Sequence, residues 1–288
     1  MTTVVDAFAD KGDRTLLAVD FSPPRSGGLG FVEDAAGLDA DFICVAYAPG
    51  KSVRMDSATA AATIRWNTRK NVIFNLSPRD MNRLAIQSSL LGAQALDVEN
   101  LLVLKGDPFS EKDLARLKDV SDFKPTELVA SIASLNEGKD FKGLALKAPT
   151  HFCIGAAVDP NRELAAETAL TRRKIEAGAN FLITQAVYDP ARVAELRSRY
   201  EALTGNPIPV PVLFGVQILV KDGLAFGDIP QGVLDDLDRG RSGADIAQDF
   251  LARMREAGCD AFYLIPPILK GGVRDYETAQ AVIASVRG

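Results

Sequence analysis

Apolar, β-branched runs recur along the chain at near-constant spacing, and this repeat constrains the fold more than any other sequence feature. Eight such runs begin at Thr15, Phe42, Asn71, Asn100, His151, Phe181, Pro211 and Ala261. Their starts are separated by 27, 29, 29, 51, 30, 30 and 50 residues. Segments with helical periodicity, such as NRELAAETALTRRKIEAGA, fill the intervals. Strands that alternate with helices in this way are typical of a parallel sheet.

The strands read as nearly continuous apolar runs, which indicates a sheet covered on both faces. Eight strand-helix units in 288 residues match a closed barrel in number and in length. We therefore predict an α/β fold, a (β/α)₈ TIM barrel, as a single domain over residues 1–288, with elaborated loops after strands 4 and 7 (residues 106–150 and 220–260). An open doubly wound sheet is the alternative. It is less favoured because the turn after the first strand, SPPRSGGLG, lacks GxGxxG spacing.

The charge balance restricts the partners of the chain. Lys and Arg total 33 against 38 Asp and Glu, which gives a net charge of -5, and no basic run is present. This composition argues against a nucleic-acid partner. The sequence shows no basic leader and no stretch of about 18 apolar residues, so we expect a cytoplasmic protein without a membrane partner. A homo-oligomer is compatible with the sequence, but nothing in it sets the oligomeric state.

Cysteine and histidine usage excludes several kinds of site. Cys44, Cys153 and Cys259 are widely spaced among apolar neighbours, which predicts buried structural thiols rather than disulfides or a CxxC metal site. The one histidine, His151, begins a strand and is expected at the end of the barrel opposite the active site. No zinc set or Ser-His-Asp triad can be built, so we predict no metal. Trp66, on the helix after the second strand, is expected to pack against the barrel.

Active sites of TIM barrels lie at the C-terminal ends of the strands, and polar residues accumulate there in this sequence. They are Asp20, Tyr47, Asn75, Lys105, Asp107, Asp159, Gln185, Tyr188, Gln217 and Tyr263. Several interrupt apolar runs, where an unpaired polar group costs about 1–3 kcal/mol. We therefore expect a polar ligand at that end. Arg172, Arg173 and Lys174 close a helix, where a solvated cationic cluster is common and a phosphate site is the alternative.

Several stretches together resemble the methylenetetrahydrofolate reductase family: VDFSPPR (19–25), NLSPRDMNRLAIQSSLLGAQAL with NLLVLKGDP (75–108), and RRKIEAGANFLITQAVYD (172–189). FGVQIL and GCDAFYLIPP match more loosely. The resemblance implies a barrel containing FAD that takes hydride from NAD(P)H. The flavin would pass it to 5,10-methylenetetrahydrofolate to give 5-methyltetrahydrofolate. The same site could run in the opposite direction, so the substrate expected is a folate-type pterin.

The resemblance also assigns roles to residues. Asp20 occupies the position of the family's general acid for opening the folate ring, although a Glu would be expected there. A helix-capping Asp, or one paired with Arg25, is the alternative. Asp107 matches the family's carboxylate beside the flavin pyrimidine ring and is the second catalytic residue. Gln185 and Gln217 are assigned to substrate binding.

Flavin contacts are implied for Tyr47, Asn75, Lys105, Asp107, Glu167, Arg173 and Lys174. Within this set, Arg173 and Lys174 match cations that hold the phosphates. Ala46, Asn75 and Lys105 depart from the family pattern, where Thr, His and Arg would be expected. A lysine does not reproduce the planar fork of an arginine. Two further hypotheses therefore remain: a flavin-free barrel that binds folate or transfers its methyl group, and a structural barrel without catalysis.

Overall fold

A computed structural model of the chain describes residues 1–287. Eight parallel strands form a closed barrel in which each pairs with its neighbours in sequence and the last pairs with the first. They are β1 (Leu16–Phe21), β2 (Phe42–Val45), β3 (Asn71–Leu76), β4 (Asn100–Val103), β5 (Cys153–Val158), β6 (Phe181–Ala186), β7 (Val212–Gln217) and β8 (Ala261–Ile265). The predicted (β/α)₈ barrel is confirmed, and the doubly wound sheet is excluded.

Eleven helices accompany the strands over residues 1–287. They are α1 (Val4–Ala9), α2 (Phe31–Ala36), α3 (Ser57–Thr68), α4 (Arg83–Ala95), α5 (Glu111–Leu114), α6 (Pro125–Asn136), α7 (Leu164–Glu176), α8 (Pro190–Thr204), α9 (Gln231–Asp238), α10 (Gly243–Glu256) and α11 (Tyr276–Arg287). Side-chain caps start several of them: Asp56, Asn82 and Ser242 each accept a backbone N–H from the first turn. None of these helices is long and apolar enough to cross a membrane.

Alternate residues of each strand face the barrel interior and the helices, and both sets are buried. This two-sided burial explains the nearly continuous apolar runs in the sequence. Phe181 fills part of the interior and is fully buried. Gly155 on the neighbouring strand makes room for it, because a Cβ there would lie 2.3 Å from the Phe181 ring. The interior is thus a packed core.

Helix α1 covers the N-terminal end of the barrel, and the sequence pattern does not predict it. Val4 is fully buried, and its backbone N–H donates to Asn100 Oδ1 at 3.0 Å. The Asn100 side chain donates in turn to the carbonyl of Thr2 at 3.1 Å. His151 lies just before β5 at this same end, as expected from its position at a strand start. We call the opposite end, formed by the C-terminal ends of the strands, the mouth.

The structure confirms one structural expectation and overturns another. Cys44, Cys153 and Cys259 are buried free thiols, as predicted. The prediction for Trp66 is wrong, because its side chain is 54% exposed. Helix α3 faces the barrel mainly with small side chains and Ile64, which allows a close approach to β3, and Trp66 lies on the outer face.

Candidate active site

Asp20 is buried near the mouth and joins three parts of the barrel. Its side chain is on β1, its Oδ1 accepts a hydrogen bond from the Tyr263 hydroxyl of β8 at 2.8 Å, and its Oδ2 accepts one from Arg274 Nε at 3.0 Å. The residue is 5% exposed. Asp20 therefore neither caps a helix nor pairs with Arg25. Its ionic partner comes from the far end of the chain.

Arg274 reaches Asp20 from a short hairpin that follows β8. In this hairpin (residues 268–274, the β8 hairpin), the Leu269 N–H donates to the Val273 carbonyl at 2.8 Å. Gly271 and Gly272 turn the chain with φ of +90° and +83°, a conformation that favours glycine. Burial opposes the charge of Arg274, but the contact with Asp20 outweighs it and the pKa of Arg274 is raised. The sequence offers no motif for this pair, whose members are 254 positions apart.

Two further groups in the interior hold their protons. Burial raises the pKa of Tyr263 well above its usual value, and the charge of Asp20 adds to the effect. Burial and then Asp20 also raise the pKa of the Cys44 thiol. Cys44 Sγ donates to Asn75 Oδ1 at 3.2 Å. This cluster therefore combines the Asp20–Arg274 ion pair with the neutral donors Tyr263 and Cys44.

Gln185 is exposed at the mouth because β6 is irregular there. The pairing register between β6 and β7 shifts between Ile183 and Ala186, and the Gly215 N–H donates to Thr184 Oγ1 at 2.8 Å. A Cβ on Gly215 would lie 2.5 Å from the Gln185 carbonyl oxygen, so a glycine is needed. Within residues 1–287 the Gln185 side chain makes no hydrogen bond. Its amide is available to a ligand.

The side-chain amide of Gln217, by contrast, forms hydrogen bonds within the protein. Its Oε1 accepts from the Phe226 N–H at 2.8 Å, and its Nε2 donates to the Leu224 carbonyl at 2.8 Å. The Tyr188 hydroxyl also donates to Oε1 at 3.2 Å. Gln217 is 4% exposed. The structure thus uses Gln217 to hold the loop after β7, and its amide is not free for the substrate contact expected from the sequence.

Arg79, which the sequence pattern did not single out, organises the mouth beside β3 and β4. It forms a two-pronged ion pair with Asp80 at 2.7 Å, donates to the Asp107 carbonyl at 3.0 Å, and lies over the Phe109 ring at 4.5 Å. The segment before Asp107 turns at Gly106, where a Cβ would lie 2.5 Å from Ser77 Oγ. One sequence feature could have identified Arg79: it stands next to an acidic residue, Asp80, shortly after the end of β3.

Tyr47, Lys105 and Asp107 lie along the mouth at the ends of β2 and β4. The side chains of Lys105 and Asp107 are exposed, and Tyr47 is half-buried. Burial, and then the negative charge of Asp80, raise the pKa of Tyr47. The structure therefore brings these three predicted residues to one side of the mouth. Asn75 is buried beside Cys44.

Glu167 and Lys174 are buried against each other behind β5. Lys174 Nζ lies 3.3 Å from Glu167 Oε1 and donates to the Ala157 carbonyl at 2.6 Å. The side chain of Lys174 is 7% exposed and that of Glu167 is 4% exposed. Burial lowers the pKa of Lys174, and the charge of Glu167 opposes this. Arg173 is exposed in the last turn of α7 and makes no ion pair within residues 1–287.

Lys174, one of the two residues assigned to the flavin phosphates, does not fit that role in this structure. Lys174 is 6% exposed and commits two of its three N–H donors to the Ala157 carbonyl and Glu167, so its ammonium offers little to a phosphate. Among residues 1–287, no group of three or more His, Cys, Asp or Glu side chains is arranged to hold a metal.

Comparison with known proteins gives the family. The family model described as methylenetetrahydrofolate reductase matches residues 6–265, a range that contains all eight strands. The chain belongs to the methylenetetrahydrofolate reductase family. The resemblance seen in the sequence is thereby confirmed. Because the match ends at the last residue of β8, the β8 hairpin and Arg274 lie outside it.

A solved structure shares the fold of this member of the methylenetetrahydrofolate reductase family. It is an uncharacterized protein from Clostridium thermocellum that binds two copies of 5-methyl-5,6,7,8-tetrahydrofolic acid. The match has a TM-score of 0.70, covers 98% of each chain and has 14% sequence identity. At that identity the likeness shows a common barrel architecture.

Proposed function

We propose that this chain is an oxidoreductase that interconverts 5,10-methylenetetrahydrofolate and 5-methyltetrahydrofolate, with NAD(P)H as the electron donor. Family membership supports a folate-related enzyme. The observation that carries the proposal is the Asp20 carboxylate, held inside the mouth by Tyr263 and Arg274. The solved structure from Clostridium thermocellum, which binds 5-methyl-5,6,7,8-tetrahydrofolic acid, supports a folate as the ligand.

In this proposal Asp20 stabilises the cationic centre that forms when the folate ring opens. An ionised Asp20 stabilises a positively charged iminium carbon through its fixed negative charge. Proton donation by Oδ2 of the same group requires that the Arg274 Nε–H group, which donates to this oxygen, first leave it. The β8 hairpin is the element that would have to move.

Gln185 and Asp107 complete the proposed substrate site. The amide of Gln185 can both donate to and accept from the edge of a pterin, and it has no competing partner within residues 1–287. Asp107 presents an exposed carboxylate after β4, two strands from Gln185 around the mouth and close in sequence to Lys105. The two groups together can orient a flat polar ligand above Asp20.

Flavin binding distinguishes the two candidate functions. FAD is what the family implies, but the buried ion pair of Lys174 and Glu167 does not fit a phosphate anchor. That observation favours the second candidate, a flavin-free barrel that acts on folate directly or transfers its methyl group. An absorbance spectrum of the purified chain, followed by titration with FAD and FMN, separates the two. The flavin-dependent form requires saturable binding of one flavin per chain.

Calorimetry and nicotinamide oxidation test the folate assignment. The chain should bind 5-methyltetrahydrofolate, and it should oxidise NADH or NADPH when 5,10-methylenetetrahydrofolate is added. Gln185→Ala should raise KM for the folate about tenfold, because it removes hydrogen bonds to the ligand. Gln248→Ala on α10 serves as the matched control. Absence of both folate binding and folate-dependent oxidation, with and without added flavin, contradicts the proposal.

Substitutions of the ion pair test the role of Asp20. Asp20→Asn should reduce turnover of the folate by about 10²–10⁴, the usual contribution of general acid catalysis, while folate binding persists. Arg274→Gln leaves the carboxylate in place, so at saturating concentrations of both substrates its turnover should fall less than that of Asp20→Asn. Circular dichroism checks that both variants fold. Equal loss in the two variants would assign Asp20 a structural role.

A further inference from the structure

A separate cavity of about 640 Å³ lies beside the mouth, between the loop after β1 and the β8 hairpin. Three arginines line it: Arg25, Arg54 and Arg274. None of the residues assigned to the folate or flavin lines this cavity. Arg274 alone connects the two places, because its Nε holds Asp20 while its side chain also borders the cavity.

Two of the three guanidinium groups have no acidic partner. Arg54 donates to the Pro23 carbonyl at 3.0 Å and to Ser52 Oγ at 3.3 Å, which fixes its position without neutralising its charge. Arg25 is exposed, and within residues 1–287 it makes no ion pair. Only Arg274 is paired, and its partner Asp20 lies on the barrel side.

Three acidic residues also line the cavity wall, and none of them forms an ion pair with its arginines. Asp275 accepts hydrogen bonds from the Thr278 N–H and hydroxyl, at 3.0 and 2.6 Å, and so caps α11. Asp34 and Glu277 also line the cavity but form no ion pair with the arginines. Burial lowers the pKa of Arg54, and the charges of Arg274 and Arg25 lower it further. Like charges are thus crowded together.

We propose that this cavity binds a polyvalent oxyanion, with Arg25 and Arg54 as the binding groups and Arg274 shared between the anion and Asp20. The planar guanidinium fork matches the geometry of carboxylate and phosphate groups and binds them in a two-pronged manner. Two sources carry such groups: the diphosphate of a nicotinamide dinucleotide and the carboxylates of a folate's glutamyl tail. The choice of these two sources rests on the proposed function, whereas the oxyanion site itself does not.

Anion binding in the cavity affects the Asp20–Arg274 ion pair at the mouth. Asp20 accepts from Arg274 Nε alone, so an anion that accepts from the remaining N–H groups shares the positive charge of the same guanidinium with Asp20. Binding in the cavity therefore weakens the hold of Arg274 on the Asp20 carboxylate. In this way the cavity is coupled to the group proposed to act on the folate.

Calorimetric titration of the full chain with pyrophosphate at low ionic strength tests the site directly. Arg25→Gln and Arg54→Gln should each weaken binding about tenfold, as expected for loss of a charge-assisted hydrogen bond. Added salt should weaken binding further, because part of the cavity is open to solvent. Arg255→Gln is the matched control, since this exposed arginine lies in the last turn of α10 at the other end of the barrel.

Paired ligands identify the source of the anion. Weaker binding of NADH, but not of reduced nicotinamide riboside, to Arg25→Gln identifies the dinucleotide diphosphate. Weaker binding of 5-methyltetrahydrofolate, but not of 5-methyltetrahydropteroate, identifies the glutamyl tail. An effect on pyrophosphate alone identifies a free oxyanion. The proposal is overturned if both variants bind every probe as Arg255→Gln does. Pyrophosphate needs no folate chemistry, so its result stands even if the proposed function fails.

Discussion

At the scale of single residues, a sequence motif predicts the acidic residue Asp20 but not the ion pair that this residue forms. The VDFSPPR stretch marks Asp20 as the acid, but the ion pair with Arg274 stabilises the carboxylate ion. Both side chains are buried, at 7% and 8% exposed. A buried pair of this kind is costly to break from either side, because each partner alone is an uncompensated charge.

Double substitution of Asp20 and Arg274 should show this coupling. Asp20→Asn and Arg274→Gln should each lower the free energy of unfolding by about 3–5 kcal/mol, because each leaves a buried charge without its partner. The double variant should lose less than the sum of the two. Urea unfolding of all four proteins gives the coupling energy. Additive losses would show that the two charges do not interact in solution.

The sequence predicts which residues lie at the mouth where the signal is local. Polar residues at strand ends, such as Asp20 and Gln185, follow from the position of each strand alone. Arg274 could not be found in this way, because its role depends on a contact across the mouth. Gln217 was found, but its use in holding a loop depends on where residues 224 and 226 lie in space.

At the scale of elements, the irregular end of β6 depends on a glycine in its neighbour β7. Gly215→Ala should destabilise the fold by about 1–3 kcal/mol, because the new Cβ would lie 2.5–2.6 Å from two backbone carbonyls of β6. Gly92→Ala on α4 is the matched control. No atom lies within 4 Å of its added Cβ, and the change should stabilise the helix by about 0.5–1 kcal/mol. Thermal unfolding compares the two.

Folate affinity extends this test to function. Because Gly215 lies against the backbone of Gln185, Gly215→Ala should also displace the exposed amide of Gln185. Folate binding should then weaken in Gly215→Ala and stay unchanged in Gly92→Ala. Stability equal to the unaltered chain in Gly215→Ala would show that β6 accommodates the methyl group.

The loop after β7 should become mobile when Gln217 is replaced. Gln217→Leu keeps the size of the side chain but removes its hydrogen bonds to Leu224, Phe226 and Tyr188. Hydrogen exchange at residues 224–226 should then accelerate at least tenfold, since each lost bond contributes about 1 kcal/mol. Tyr188→Phe removes one of these contacts and should have a smaller effect. Unchanged exchange in Gln217→Leu would show that other contacts hold the loop.

Strands and long helices could be predicted from the sequence, whereas the shortest helices could not. Each strand starts within two residues of an apolar run, because burial on both faces leaves a continuous local signal. Helices α1 and α5 have six and four residues, too few to show a helical period. Helix α1 is specified by its contact with Asn100, which is distant in sequence.

At the scale of the whole molecule, the barrel keeps most of its weakly acidic side chains away from water. All five tyrosines have a raised pKa, mainly because of burial. The pKa values of the three cysteines are raised for the same reason, that of Cys153 to about 11. Eight groups therefore hold their protons more tightly in the folded chain than in the unfolded chain.

Alkaline pH should consequently unfold this protein cooperatively. Below about pH 8 both states keep these protons, and the stability that the eight groups contribute is fully present. As pH rises through 9 and 10 the unfolded chain releases protons that the folded chain retains, so the free energy of unfolding falls by up to about 1.4 kcal/mol per pH unit for each group. The lowered pKa of Lys174 has the opposite effect on stability, but it is one group against eight.

Urea unfolding at pH 7, 9 and 10 measures the decline in the free energy of unfolding. Phenolate absorbance should stay low until the circular dichroism signal is lost, and then rise with it. Full phenolate absorbance near pH 10 in a chain that is still folded would show that the tyrosines are open to solvent.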